Sequence, residues 1–243
     1  MTLDDLVSLY QEVFKDSITS SLFTVQQVVD WINEAENEAC RRSMLLVDSA
    51  NAMCSLSAGV GSQSFSLNPL IIFVLRAKCA NGTRALYETT LENMDMYLPN
   101  WEAAPAGAPM MLWTNMQTLM FSVYPAFASS DTIKLTVARC PLNPMTLASP
   151  SPSPEIPARF HRQLMDWVIY RTLNVRDPDV LGGLDPTRLW TANDFLSSFE
   201  SSFGPRPQSS DEARALLGYP RSNAFGENAN MGGTVIRRGA NAA

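Results

Sequence analysis

The stretch PEIPARFHRQLMDWVIYRTLNVRDP, Pro154 to Pro178, decides how the rest of the chain is read. Pro157 suits the first turn of a helix, where its missing N–H costs nothing, and Asp177-Pro178 supplies a stop about twenty residues later. Phe160, Leu164, Trp167 and Val168 recur at steps of three and four, and Met165, Ile169 and Leu173 make a second apolar row beside them. Two rows predict a helix buried on most sides, the core of the fold. Full withdrawal of Trp167 from water would bring about 4–6 kcal/mol of gross hydrophobic free energy as an upper bound. Arg162 and Asp166, four apart, are placed to pair on the remaining polar face.

The region it must pack against lies at the other end of the chain. Leu3, Leu6, Val7, Tyr10 and Phe14 trace a helical stripe after Thr2, which with Asp5 makes a capping-box-like start. Thr24 and Gln27 repeat the capping signature. Val25, Val28, Val29, Ile32, Ala35 and Ala39 then run along one face to about Leu46, with Arg41 and Arg42 late, as the helix dipole favours. Glu34, Glu36 and Glu38 stand two apart, which puts them on diverging faces and predicts a solvated surface. Trp31, Phe160, Leu164, Trp167 and Val168 are the expected structural core.

Between these helical regions the period changes. MCSLSAG and QSFSLNP alternate apolar and small polar residues around Gly59 and Gly61, predicting two short strands joined by a turn. Ile71 to Ala80 is a continuous strand-like run, and Asn81-Gly82 after it is a hairpin signal, because both residues tolerate positive φ. Asn81-Gly82-Thr83 also spells a glycosylation acceptor; with no signal peptide, the turn reading is preferred. Leu91 to Leu98 reads as a short helix. MMLWTN, TLMFSVYP and TIKLTVARCP read as three further strands.

From Pro141 to Pro157 six of the sixteen prolines occur together, the composition of an extended connector. After the central helix, Asp185-Pro186 predicts a restart, with a stripe of Leu189, Ala192, Leu196, Phe199 and Phe203 closed by Gly204-Pro205. The final stretch, from Gly204, holds six of the twelve glycines and cannot pack a core. It carries five arginines against three acids, a basic tail on a body whose whole-chain charge is −6. Arg214, Leu216, Leu217, Tyr219, Phe225, Val235, Ile236, Arg237 and Arg238 are its candidate anchors in the grooves of another subunit; the alternative is a terminus without a partner.

The expected fold class is therefore α+β: a helical bundle from residues 1–48 and 155–203, an inserted antiparallel β-rich domain over 49–140, a Pro-rich linker at 141–154 and an extended tail at 204–243. Net acidity argues against a protein that coats nucleic acid with its whole surface. The N-terminus carries acids where a signal peptide carries Lys or Arg, which predicts use without secretion, and no apolar run has the length of a membrane span. Cys40, Cys54, Cys79 and Cys140 form no CxxC pair and are expected to be buried thiols. The single histidine, His161, leaves one place for a nucleophile–base pair, and no GxSxG, GxxxxGK[ST], HExxH or GxGxxG occurs. No catalytic residue, cofactor or metal is expected.

The order of parts resembles the head-to-tail adaptor proteins of tailed bacteriophages, also called connector or head-completion proteins. The elements that carry the likeness are WINEA at Trp31 to Ala35, LMFSVYP at Leu119 to Pro125, and EIPARFH at Glu155 to His161 ahead of an amphipathic helix. It spans most of residues 2–203. The resemblance implies a non-enzymatic virion protein, made in the host cytoplasm and built into the neck as a homo-oligomeric ring, commonly of twelve copies. Its partners would be the portal protein, on which the C-terminal tail docks, a tail, nozzle or tail-tube protein, and genomic DNA passing through the channel without sequence-specific binding; no membrane is involved. A soluble scaffolding module that recruits one partner through its tail is the second reading, and a hydrolase using His161 a third.

Overall fold

The structure, a computed structural model, describes residues 1–14, 23–98, 100–148, 151–175 and 191–207. The fold is α+β, with five α-helices among the described residues and two β-sheets. The chain divides into compact units, one of Met1–Val47 with Ala138–Ser209, and another that takes in Asp48–Val137.

In the first unit, both N-terminal capping signatures form. Asp5 N–H donates to Thr2 Oγ1 at 3.3 Å, and Thr2 N–H donates to Asp5 Oδ2 at 2.8 Å. These bonds start α1, Leu3–Phe14, and hold the Asp5 carboxyl below its usual range. Gln27 N–H donates to Thr24 Oγ1 at 3.2 Å and Thr24 N–H to Gln27 Oε1 at 2.9 Å, opening α2, Val25–Ser43. This helix stops short of the expected Leu46. Met44 turns left-handed at φ 50° and closes on the Cys40 carbonyl at 2.8 Å, and Leu46–Asp48 is extended as β1.

The central helix also starts later than its proline suggests. Pro157 opens a 3-10 turn, Ala158–Phe160, and the α-helix proper, α4, is Leu164–Val175; α3, Leu91–Tyr97, lies in the second unit. Phe160 therefore packs from a turn rather than from the helical stripe. Trp31, Leu164 and Val168 are buried, whereas Phe160 and Trp167 are half-buried. Trp167 thus realises only part of its transfer free energy. Asp166 does not serve Arg162 as its main partner: Ser198 Oγ donates to Asp166 Oδ2 at 2.8 Å, and burial raises the Asp166 carboxyl above its ordinary value. The last helix, α5, is Ala192–Phe203, with its own capping box at Thr191 and Asp194. Its expected start at Asp185-Pro186 lies outside the described residues, as do Asp177-Pro178 and Leu189.

The two ends of the sequence meet here: α4 packs against α5 and α2, and α1 packs against α2 and α4. Phe199, Leu164, Val168, Ile32, Ala35, Leu6 and Tyr10 are buried in the unit's interior, where each large apolar side chain contributes about 1.5–3 kcal/mol. The glutamates of α2 correct the solvated-face expectation. Glu36 and Glu38 are buried, Glu36 accepting the Ile156 N–H at 3.2 Å and Glu38 holding Arg42 at 3.1 Å. The face they occupy is covered by the chain returning after residue 138. That return is fastened in several places: Asn33 both donates to and accepts from the Met145 backbone, at 2.9 and 2.8 Å, and Glu155 accepts from Leu142 N–H and holds Arg139, both at 2.7 Å. Pro152 C=O takes the Leu3 N–H at 2.7 Å.

In the second unit, the strands β2 (Ser55–Ala58), β3 (Ser64–Ser66), β4 (Ile71–Cys79), β5 (Tyr87–Glu88), β6 (Met111–Asn115), β7 (Met120–Tyr124) and β8 (Asp131–Arg139) form the sheets, and α3 (Leu91–Tyr97) lies between β5 and β6. β2 and β3 are not a hairpin with each other. β2 pairs antiparallel with β8, which also takes β4, while β3 joins a second sheet in the order β3-β7-β6-β5. Their expected pairing fails because Gly61 N–H and Phe127 N–H bond across to Phe127 C=O and Ser62 C=O, which splits the two runs between sheets.

The reversal at Asn81-Gly82 forms, but without positive φ at either residue. Gly82 N–H returns to Cys79 C=O at 3.0 Å, and a single bridge joins Lys78 to Ala85. The returning chain then leaves this partner, and β5 pairs parallel with β6. One apolar cluster draws on both sheets, with Phe121, Val123, Leu112, Ile133, Leu135 and Val137 at its centre.

Candidate interaction surfaces

In the first unit, the geometry is organised around the point where the chain leaves α5. Arg42 is buried and bifurcates: Nε faces Glu38 Oε1 at 3.1 Å, and Nη1 faces Glu200 Oε1 at 2.9 Å and Gly204 C=O at 3.4 Å. Its guanidinium also lies over the rings of Trp167 and Phe199, 5.6 and 5.4 Å from their centroids. Ser43 Oγ donates to Phe203 C=O at 2.5 Å, and Gly204 N–H caps α5 on Glu200 C=O at 2.7 Å. Gly204 adopts φ 78° and ψ 171°, a conformation reserved for glycine. The direction in which the basic tail departs is thereby fixed by α2. Beside it, Asp30, Asn33, Glu34, Trp167, Arg171 and Arg206 line an open cleft of about 750 Å³. The predicted anchors Arg214, Leu216, Leu217, Tyr219, Phe225, Val235, Ile236, Arg237 and Arg238 lie outside the described residues.

His161 sits in the turn before α4 and is buried. Its Nε2 is 2.8 Å from the Ile156 C=O, and its Nδ1 is 3.2 Å from the Met1 amino nitrogen and 3.1 Å from the Met1 C=O. Both ring nitrogens are occupied by main chain, so the ring braces backbone segments. Cys40, Cys54, Cys79 and Cys140 are all buried, and burial pushes the Cys40, Cys79 and Cys140 thiols up. Among the described residues, no three His, Cys, Asp or Glu side chains gather as a metal site would require, and no helix is long and apolar enough to cross a membrane.

The second unit carries a surface that periodicity alone did not single out. Tyr87, Met96 and Met110 are 62%, 69% and 56% exposed, and Leu91 and Tyr97 are exposed beside them. Leu91, Met96 and Tyr97 lie on α3, which follows β5 directly, and Tyr87 N–H bonds Met110 C=O and Thr89 N–H bonds Leu112 C=O, both at 2.8 Å, where β5 pairs with β6. Trp101 ties the far end down, its Nε1 donating to Asp95 at 2.8 Å while its ring meets Trp113 and Tyr124 edge-on at 5.2 and 6.4 Å. Exposed Met and Tyr over an ordered aromatic base are features of protein-binding surfaces. The signal in the sequence was the clustering of Tyr, Met and Trp between Tyr87 and Trp113.

Residues 1–221 match the sequence model of the SU10 adaptor protein family. The chain belongs to this family. The SU10 adaptors are phage head-to-tail adaptors, so the chain has a structural role in a bacteriophage virion. The SU10 match takes in both units and the start of the tail, including Arg214, Leu216, Leu217 and Tyr219, and ends before Phe225, Val235, Ile236, Arg237 and Arg238. No curated protein matches the chain.

Proposed function

We propose that this SU10 family member is a non-catalytic adaptor that forms a ring, of twelve copies in the form the resemblance implies, between portal and tail in the virion neck. In this reading the protein is made in the host cytoplasm, residues 1–48 and 155–203 act as a helical bundle that carries ring contacts, the tail at 204–243 docks on portal subunits, and a tail, nozzle or tail-tube protein binds the other side. Genomic DNA passes through the channel without sequence-specific contact. The observation that carries this reading is the family match over residues 1–221. It is supported by the way α2 fixes the exit of the tail at Gly204. An extended segment that orders only on assembly gains contact area and defers its entropy cost to that moment.

Light scattering on the purified chain, alone and mixed with portal, tests the reading. A multi-copy complex is expected, and a complex of one adaptor per portal assembly would overturn it. The charge of −6 further suggests a channel wall that repels DNA and lets it slide; a strongly basic lumen in a micrograph of the neck would defeat that part alone.

A further inference from the structure

The charges of the second unit are segregated. From residue 85 to residue 130 the chain holds the acids Glu88, Glu92, Asp95 and Glu102 and no Lys or Arg, while the unit's basic residues, Arg76, Lys78, Arg84 and Lys134, all lie outside that span. Glu92 and Glu102 are exposed, on α3 and on the turn after it, and Glu92 stands one helical turn before the exposed Met96. Arg76, Lys78 and Lys134 lie on β4 and β8 of the other sheet.

Ala80 N–H donates to Thr132 C=O at 2.8 Å just past the end of β4. Because β4 precedes this bond in sequence and most of β8 follows it, the two strands run antiparallel. Two residues further in, that register places Lys78 across from Lys134, with Arg76 next on the same face. The alternate positions Ala77, Cys79, Ile133 and Leu135 are buried while Arg76 and Lys134 are exposed and Lys78 half-exposed, so this end of the row stands on the outer side, although Val74, further along β4, is buried. Like charges facing each other across strands destabilise a sheet unless an anionic partner neutralises them. Asp131, at the start of β8 and in step with Ile133 rather than with Lys134, is already bonded by Asn81 Nδ2 at 3.0 Å and by the Thr132 N–H at 2.7 Å.

We propose that these surfaces are the two halves of one contact: the basic β4–β8 face of one copy seats on the acidic, Met- and Tyr-bearing α3 surface of the next. The inference rests on the reading that copies of the chain assemble into a ring. Two different patches meeting makes the contact heterologous, the type that adds subunits head to tail and closes into a ring. A second copy is the favoured occupant because it accounts for both surfaces at once through charge complementarity, whereas DNA would use the basic row and leave the acidic, apolar surface without a role.

The test uses the full-length chain assembling on purified portal, with copies per portal counted by analytical ultracentrifugation. Lys78→Glu with Lys134→Glu, and separately Glu92→Lys with Glu102→Lys, are each expected to cut assembly at least tenfold, and the combined four-site variant to restore it. The neutral pair Lys78→Gln with Lys134→Gln, milder for the sheet, should give an intermediate loss. Assembly that proceeds equally in both charge reversals, or that the combined variant does not restore, overturns this contact and leaves the ring reading standing. Wild-type chain that never exceeds one copy overturns both. Duplex DNA retained by wild type and lost with Lys78→Glu and Lys134→Glu, while assembly continues, assigns the face to DNA and overturns the proposal.

Discussion

Arg42 on α2 and Glu200 on α5 meet across 158 positions of sequence, Nη1 to Oε1 at 2.9 Å. The same guanidinium holds Glu38, and the two carboxylates differ in exposure: the Glu38 side chain is 11% exposed and that of Glu200 46%. Arg42→Ala strands Glu38 in the interior and removes the cation from Trp167 and Phe199. Chemical denaturation should register a loss of about 3–5 kcal/mol, while Glu200→Gln, at the wetter end, should cost less than about 1 kcal/mol. Equal losses would mean that the pair acts as a unit rather than as one buried and one surface bond.

Gly204 supplies a cleaner test of backbone conformation. No atom stands within 4 Å of where a Cβ would be placed, so Gly204→Ala meets no clash and pays only for the strained φ of 78°. The expected destabilisation is about 1–3 kcal/mol by thermal unfolding. A neutral result would show that the residue relaxes out of the left-handed region without loosening α5.

Glu36 makes stability depend on pH. Burial raises its carboxyl above the ordinary value, against the opposing pull of the Ile156 N–H. A folded-state value raised above the unfolded one gives a contribution that is fully present below the unfolded value and is lost as pH rises through the folded one. Wild-type protein should therefore lose stability from this group on going from pH 4 to pH 8. Glu36→Gln, which keeps an oxygen for the Ile156 N–H, should melt higher than wild type at pH 8, with the difference closing near pH 4. Parallel melting curves across that range would remove Glu36 as the cause.

The Asn33 side chain grips the Met145 backbone through both its amide oxygen and its amide nitrogen. Asn33→Leu leaves one backbone N–H and one C=O without these partners. A loss of about 1–3 kcal/mol is expected, accompanied by faster hydrogen exchange at Met145. Exchange unchanged at that amide would place the cost elsewhere.

Local chemistry was the part of this fold most readable from sequence. Thr24 with Gln27 formed the capping box that its spacing implied, and MMLWTN, TLMFSVYP and TIKLTVARCP formed strands, because cap and strand signals act over neighbouring residues. Pairing depends on distant residues, and there the reading failed: β2 and β3 look like arms of a hairpin until β8 and β7 claim them separately. Glu36 looked solvated because nothing in its own helix reveals that Ile156 arrives on top of it. Thr191 and Asp194 form a capping box with Asp in place of the usual Glu or Gln, a local signal that the sequence reading passed over in favour of Asp185-Pro186, which lies outside the described residues. The exposed Tyr and Met side chains on and around α3 were legible only as composition, since they come from a strand, a helix and a loop.

All four cysteines of the chain are interior, and the thiols of three of them are made still less reactive by burial. The outside of the protein is consequently blank to maleimides and other thiol reagents. A cysteine introduced at Met96 or Lys134 would be a single addressable handle on an otherwise native background, so a fluorophore, spin label or crosslinker can report on either surface of this adaptor without first stripping the molecule of its own sulfur.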